Sequence, residues 1–134
     1  MAINPIRVLV VDDDDIVRQT MADDLTEAGC WVESLPTPIG ATKAIVQNAI
    51  DVVVIDVLMP SMRGDKLAAL LRSNPKVGNL SVILISGDAA ELGQLGDVVK
   101  ADALVEKCDL DRLPKIVRQV FEKRRSRAPV AAVA

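Results

Sequence analysis

Carboxylates, a hydroxyl and an ammonium group recur in this sequence at one kind of place, the end of a short apolar run. The run IRVLVV gives way to Asp12, Asp13, Asp14 and Asp15, and DVVVIDV carries Asp56 near its end. LSVILI is followed by Ser86 and Gly87, and the short run at 103–105 by Glu106 and Lys107. Carboxylates gathered at one spot repel one another and raise one another's pKa unless a cation joins them. A hard divalent ion resolves that conflict, and Mg²⁺ suits one or two carboxylates with waters and a phosphate oxygen. With such an ion on the equatorial oxygens, Asp56 is suited to act as nucleophile towards a phosphoryl group. Lys107 and the Ser86 hydroxyl would hold two further oxygens of the product. A dinucleotide or flavin site fits worse, because the first turn offers four negative charges where phosphate needs free N–H groups.

These run ends meet only if the runs are neighbouring strands of one parallel sheet. Apolar runs and helical patterns do alternate along the chain. Strands are predicted at 6–11, 31–35, 51–57, 80–85 and 103–105. Helices are predicted at 16–28, 39–49 and 65–72, then a soft helix interrupted by Gly93 and Gly96, and a last one at 109–123. The first, third and fourth strands are unbroken apolar runs, as expected when both faces of a sheet are covered. The fold class is therefore α/β, an open five-stranded parallel sheet with helices on both faces. In such a sheet the site lies at the carboxyl ends of the strands, near the switch in strand order.

Composition narrows the chemistry further. The 134 residues suit one domain, and half of them are apolar. Histidine is absent, which removes imidazole bases, Ser-His-Asp hydrolysis and imidazole metal sites. Cys30 and Cys108 are too few for a zinc finger or a disulfide framework, and they lie at opposite ends of the predicted sheet. No signal peptide or membrane span is evident, so the cytoplasm is the expected compartment. Residues 118–134 hold five basic residues against one acid, while the rest holds eleven against eighteen. So acidic a body, with only Trp31 and Phe121 as aromatics, makes a poor partner for nucleic acid. The basic stretch 123–127 reads most simply as a solvated helix end.

Taken in order, VLVVDDDD, VVVIDVLMPSMRG, ILISGD and Lys107 resemble the receiver domain of bacterial response regulators, of which CheY is the single-domain example. The resemblance covers about residues 6–122. It implies strand order 2-1-3-4-5, Asp56 as phosphoacceptor, and Mg²⁺ held by Asp12, Asp13, Asp56 and the Leu58 carbonyl. It implies Ser86 and Lys107 on the phosphoryl group. The partners it implies are a histidine kinase or histidine phosphotransfer protein and a downstream protein reading about residues 89–122. The receiver would span 1–127, with 128–134 a flexible tail, as a monomer or a phosphorylation-dependent dimer.

Several residues depart from the family pattern. Cys108 stands where proline usually follows the lysine, so a trans Lys107–Cys108 bond and a remodelled loop are expected. Cys108 itself reads as a redox thiol or, the favoured reading, a small semi-buried filler. Leu104 replaces the usual aromatic ring, which moves switching towards the fourth helix or the 86–92 loop. Arg63 replaces an acid and is expected to face a partner, screen the acid cluster or simply be solvated. Leu58 and Asp88 stand at positions that tune phosphoryl loss, and an apolar Leu58 predicts slow loss. Asp14 or Asp15 suits the N-cap of the first helix, which leaves Asp12 and Asp13 for a metal. Three alternatives stay open: a receiver cut from a longer regulator or hybrid kinase, a small phosphatase-like hydrolase, and a phosphorylation-independent interaction module.

Overall fold

The computed structural model describes residues 4–126, so the expected tail at 128–134 lies outside the described residues. Five strands, β1 (Arg7–Val11), β2 (Trp31–Leu35), β3 (Val52–Asp56), β4 (Ser81–Ser86) and β5 (Ala103–Glu106), form one parallel sheet in the order β2-β1-β3-β4-β5. Five helices alternate with them: α1 (Asp15–Glu27), α2 (Ala41–Gln47), α3 (Gly64–Ser73), α4 (Ala89–Val99) and α5 (Leu113–Ser126). A 3₁₀ turn occupies Pro75–Val77, and Lys107–Arg112 forms 3₁₀ turns kinked at Asp109.

Strand alternation explains why the apolar runs are unbroken. Val8 and Val10 face α1 and α5, in a core with Met21, Leu25, Leu113 and Val117. Leu9 and Val11 point the other way, into a core with Ala44, Ile45, Leu67, Leu71 and Leu92 from α2, α3 and α4. Both faces of β1, β3 and β4 are thus buried, which demands apolar residues at every position rather than every second one. Each fully buried Val, Leu or Ile contributes roughly 1.5–3 kcal/mol.

Element boundaries moved where backbone chemistry overrode hydrophobic spacing. The second helix, expected at 39–49, is confined to Ala41–Gln47, with Gly40 (φ 86°) before it and Ala49 (φ 50°) after it. Glycines at 93 and 96 do not interrupt α4, which runs unbroken. The last helix, expected from 109, begins at Leu113, because Asp109 takes a non-helical conformation and Pro114 suits the first turn of a helix. Between β5 and α5 the chain is wound into 3₁₀ turns, and no described peptide bond is cis, so the Lys107–Cys108 bond is trans as expected.

Away from the acidic edge, at the amino ends of the strands, Arg7 lies over the Trp31 ring at 3.9 Å from its centroid. Arg7 and Trp31 are paired residues of β1 and β2.

Candidate functional site

Parallel register brings the acids together. Val11 lies beside Ile55, and Asp56 beside Ile85, so β1, β3 and β4 end at a common edge. Immediately beyond β1 the buried Asp12 accepts the Asp14 N–H at Oδ1, 2.9 Å away. Asp14 caps α1 by accepting the Ile16 and Val17 N–H groups at 2.9 and 3.1 Å. Capping therefore uses Asp14 and leaves Asp12 and Asp13 free. In the same turn, Arg18 donates to the Asp12 carbonyl at 2.8 Å and to the Asp15 carboxylate at 2.5 Å.

Asp56 is buried at the end of the central strand, and its carboxylate accepts the Leu58 N–H at 3.4 Å. Gly64 makes the following turn possible. A Cβ there would lie 2.1 Å from the Asp56 carbonyl oxygen, so only glycine lets α3 start this close to β3. Its N–H donates to the Val57 carbonyl at 2.8 Å. From the β5 edge, Lys107 brings its Nζ to 3.4 Å from Asp56 Oδ2 and 4.0 Å from Asp12 Oδ2.

The carboxylates of Asp12, Asp13 and Asp56 offer ligand oxygens within 4.8 Å of one another. Lys107 is the one cation paired with them among the described residues. Burial, with the neighbouring Asp56 and Asp13 charges, pushes Asp12 up from 3.8 to about 6, although the Asp14 N–H and Lys107 pull the other way. Burial likewise raises Asp56, against Lys107 and the Leu58 N–H. Asp12 Oδ2 is buried and finds no hydrogen-bond donor. An orphaned acceptor in a hard-oxygen set with surplus negative charge fits a divalent cation such as Mg²⁺.

Ser86 ends β4, buried, one residue past the partner of Asp56. Its hydroxyl accepts the Asp88 N–H at 3.1 Å, and Asp88 accepts the Ala90 and Glu91 N–H groups at the start of α4. Leu58 is exposed. Arg63 neither screens the acids nor stands free: it pairs with Asp65 and with Glu91 of α4. Cys108 corrects an expectation, being exposed rather than semi-buried, with its thiol 3.6 Å from Glu106. Both cysteines are free thiols.

Sequence reasoning missed Arg18: the spacing from Asp15 suggests at most a surface ion pair, and its bond to the Asp12 carbonyl leaves no signal in the sequence. It also missed Asp102. That carboxylate receives Arg72 of α3, Arg124 of α5 and the Val82 N–H, at 2.5, 2.9 and 2.7 Å.

The response regulator receiver domain family model matches residues 8–118. Response regulator MprA of a Mycobacterium species is 41% identical over 69 residues, a match covering 52% of this chain and 30% of that protein. The gliding motility regulatory protein of Myxococcus xanthus is 35% identical over 106 residues, covering 78% of this chain and 14% of that protein. The chain thus spans under a third of these relatives. Among solved structures, Vibrio cholerae chemotaxis protein CheY4 superposes with a TM-score of 0.79 at 26% identity, over 87% of this chain and 98% of that one. Thermotoga maritima TrrA, determined in complex with Mg²⁺–BeF, gives 0.74 at 27% identity, over 85% and 97%. Because the family match takes in nearly the whole α/β unit, the chain belongs to the response regulator receiver domains, the signalling modules of two-component systems.

Proposed function

We propose that Asp56 is the phosphoacceptor, charged by a histidine kinase or histidine phosphotransfer protein in a Mg²⁺-dependent reaction. The observation that carries this reading is the buried Asp12 Oδ2, without a donor, beside Asp13 and Asp56. Asp12, Asp13 and Asp56, with the Leu58 carbonyl, would hold the ion. Bound there, Mg²⁺ supplies charge neutralisation for the phosphoryl oxygens. An Asp56 carboxylate oxygen attacks the phosphorus of a phosphohistidine. The new O–P bond forms as the N–P bond breaks, and the histidine nitrogen leaves with the electron pair. Lys107, already 3.4 Å from Asp56, holds one phosphoryl oxygen. The Ser86 hydroxyl accepts from Asp88 and keeps its own proton to donate to another.

The output is a change in protein–protein contact, with α4, β5 and α5, about residues 89–122, as the face that is read. Leu104 on β5 is half-exposed and has no ring to swing inward. The Ser86–Asp88 link to the start of α4 is then the route from phosphoryl group to output face. The cytoplasm is the compartment that suits two free thiols. The domain works as a signalling acceptor, with its own aspartate as the substrate.

Intact-mass spectrometry after treatment with acetyl phosphate tests the reading. One added phosphoryl group, dependent on Mg²⁺ and absent from Asp56→Asn, is the expected result. No gain in the wild type, under conditions where Mg²⁺ binds, would make the chain a phosphorylation-independent binding module instead.

A further inference from the structure

We propose that Arg18 is the positioning residue of the Mg²⁺ site, its guanidinium fork fixing the peptide that joins Asp12 to Asp13. The inference rests on the reading of Asp12, Asp13 and Asp56 as metal ligands. Nη1 donates to the Asp12 carbonyl at 2.8 Å while Nη2 donates to Asp15 at 2.5 Å, and the side chain is only 17% exposed. A peptide group is planar, so holding the carbonyl oxygen of Asp12 also fixes the N–H and Cα of Asp13. The same turn has a second constraint: the Asp14 N–H holds Asp12 Oδ1. With Oδ1 held, Oδ2 stays free to face the cluster. The two constraints together set the aim of both acids from one turn.

Neither capping nor charge accounts for Arg18. Asp14 alone caps α1. A cation close to a cation site weakens binding if it acts through charge, since like charges repel. Its value to the site is therefore geometric. A lysine would bring the charge but not the planar fork that spans a carbonyl and a carboxylate at once.

Calorimetric titration of Mg²⁺ and of Ca²⁺ into wild type, Arg18→Lys, Arg18→Gln and Asp12→Asn separates the possibilities. Mg²⁺ demands near-ideal octahedral geometry whereas Ca²⁺ accepts irregular sites. Both Arg18 variants are expected to lose about 10-fold in Mg²⁺ affinity, the usual cost of removing an outer-shell partner, and clearly less for Ca²⁺. Arg18→Lys keeps the charge and the aliphatic stem, so its loss reports geometry. Equal losses for the two ions, unchanged affinities, or tighter Mg²⁺ binding by Arg18→Gln would overturn the proposal while leaving the metal reading intact. Failure of the wild type to bind Mg²⁺ would overturn both.

Discussion

At the scale of single residues, the acids store a conflict that pH and metal both resolve. Asp12 is raised from 3.8 to about 6, so the folded protein binds its proton more tightly than the unfolded chain does. The stability this contributes is complete below about pH 4 and is lost as pH rises through about 6. Ionised Asp12 then costs up to about 3 kcal/mol. Asp12→Asn is accordingly expected to raise the melting temperature of the EDTA-treated protein at neutral pH, with the difference vanishing below about pH 4. Adding Mg²⁺ should close that gap, stabilising wild type by about 2.7 kcal/mol at one hundred times its dissociation constant. Thermal melts across pH, with and without the ion, check both signs. Leu58 and Asp88 bear on phosphoryl lifetime. Exposed Leu58 gives an attacking water no hydrogen bond, and Asp88 is committed to α4. We expect phosphorylated protein to persist for many minutes, and Leu58→Asn to shorten that; decay within seconds in the wild type would refute it. Asp12 and Asp56 were legible because a buried strand has no structural use for a carboxylate at its end. Arg18 was not, because an arginine on an exposed helix reads as solvent-facing until its carbonyl partner is known.

At the scale of elements, the run lengths predicted strands well and helix ends poorly. β2 falls where its β-branched and aromatic residues put it, at Trp31–Leu35. Helix ends depend on where the backbone can turn, as the positive φ at Gly40 and the non-helical Asp109 show, and periodicity carries no signal for either. Gly64 illustrates how one element edge serves the site. As Gly64→Ala, the new Cβ would meet the backbone oxygen of Asp56, which has no flexible end to move aside. Either α3 shifts outward or the end of β3 does. The variant is expected to lose at least 1–3 kcal/mol of stability, the range for overpacking a tight site. Because Asp56 lies on the moved strand end, its phosphorylation should slow as well. Urea unfolding and phosphorylation time courses measure the two effects.

At the scale of the whole molecule, strand alternation builds two separate cores, and polar links cross between the layers that enclose them. Asp102, just before β5, ties α3 to α5 through Arg72 and Arg124. Burial opposes its charge, but the Val82 N–H and the two guanidinium groups outweigh burial and hold the carboxyl below its ordinary range. Asp102→Ala takes the acceptor from Arg124 and from the Val82 N–H, while Arg72 keeps the Leu80 and Lys100 carbonyls; it is expected to cost about 2 kcal/mol, read as a lower urea midpoint with unchanged Mg²⁺ affinity. The layer order and sheet edge were legible from the apolar runs alone. This brace was not, because its partners lie 22 and 30 residues from Asp102 and obey no local period. The placement of Trp31 has a practical side. The chain's one tryptophan sits under Arg7 at the amino end of the sheet, a strand's length from the acids. Its emission is expected to follow the fold and to change little when the acids are occupied, so unfolding curves taken with and without Mg²⁺ can be compared on one signal; a change of emission on adding Mg²⁺ to the folded protein would refute this.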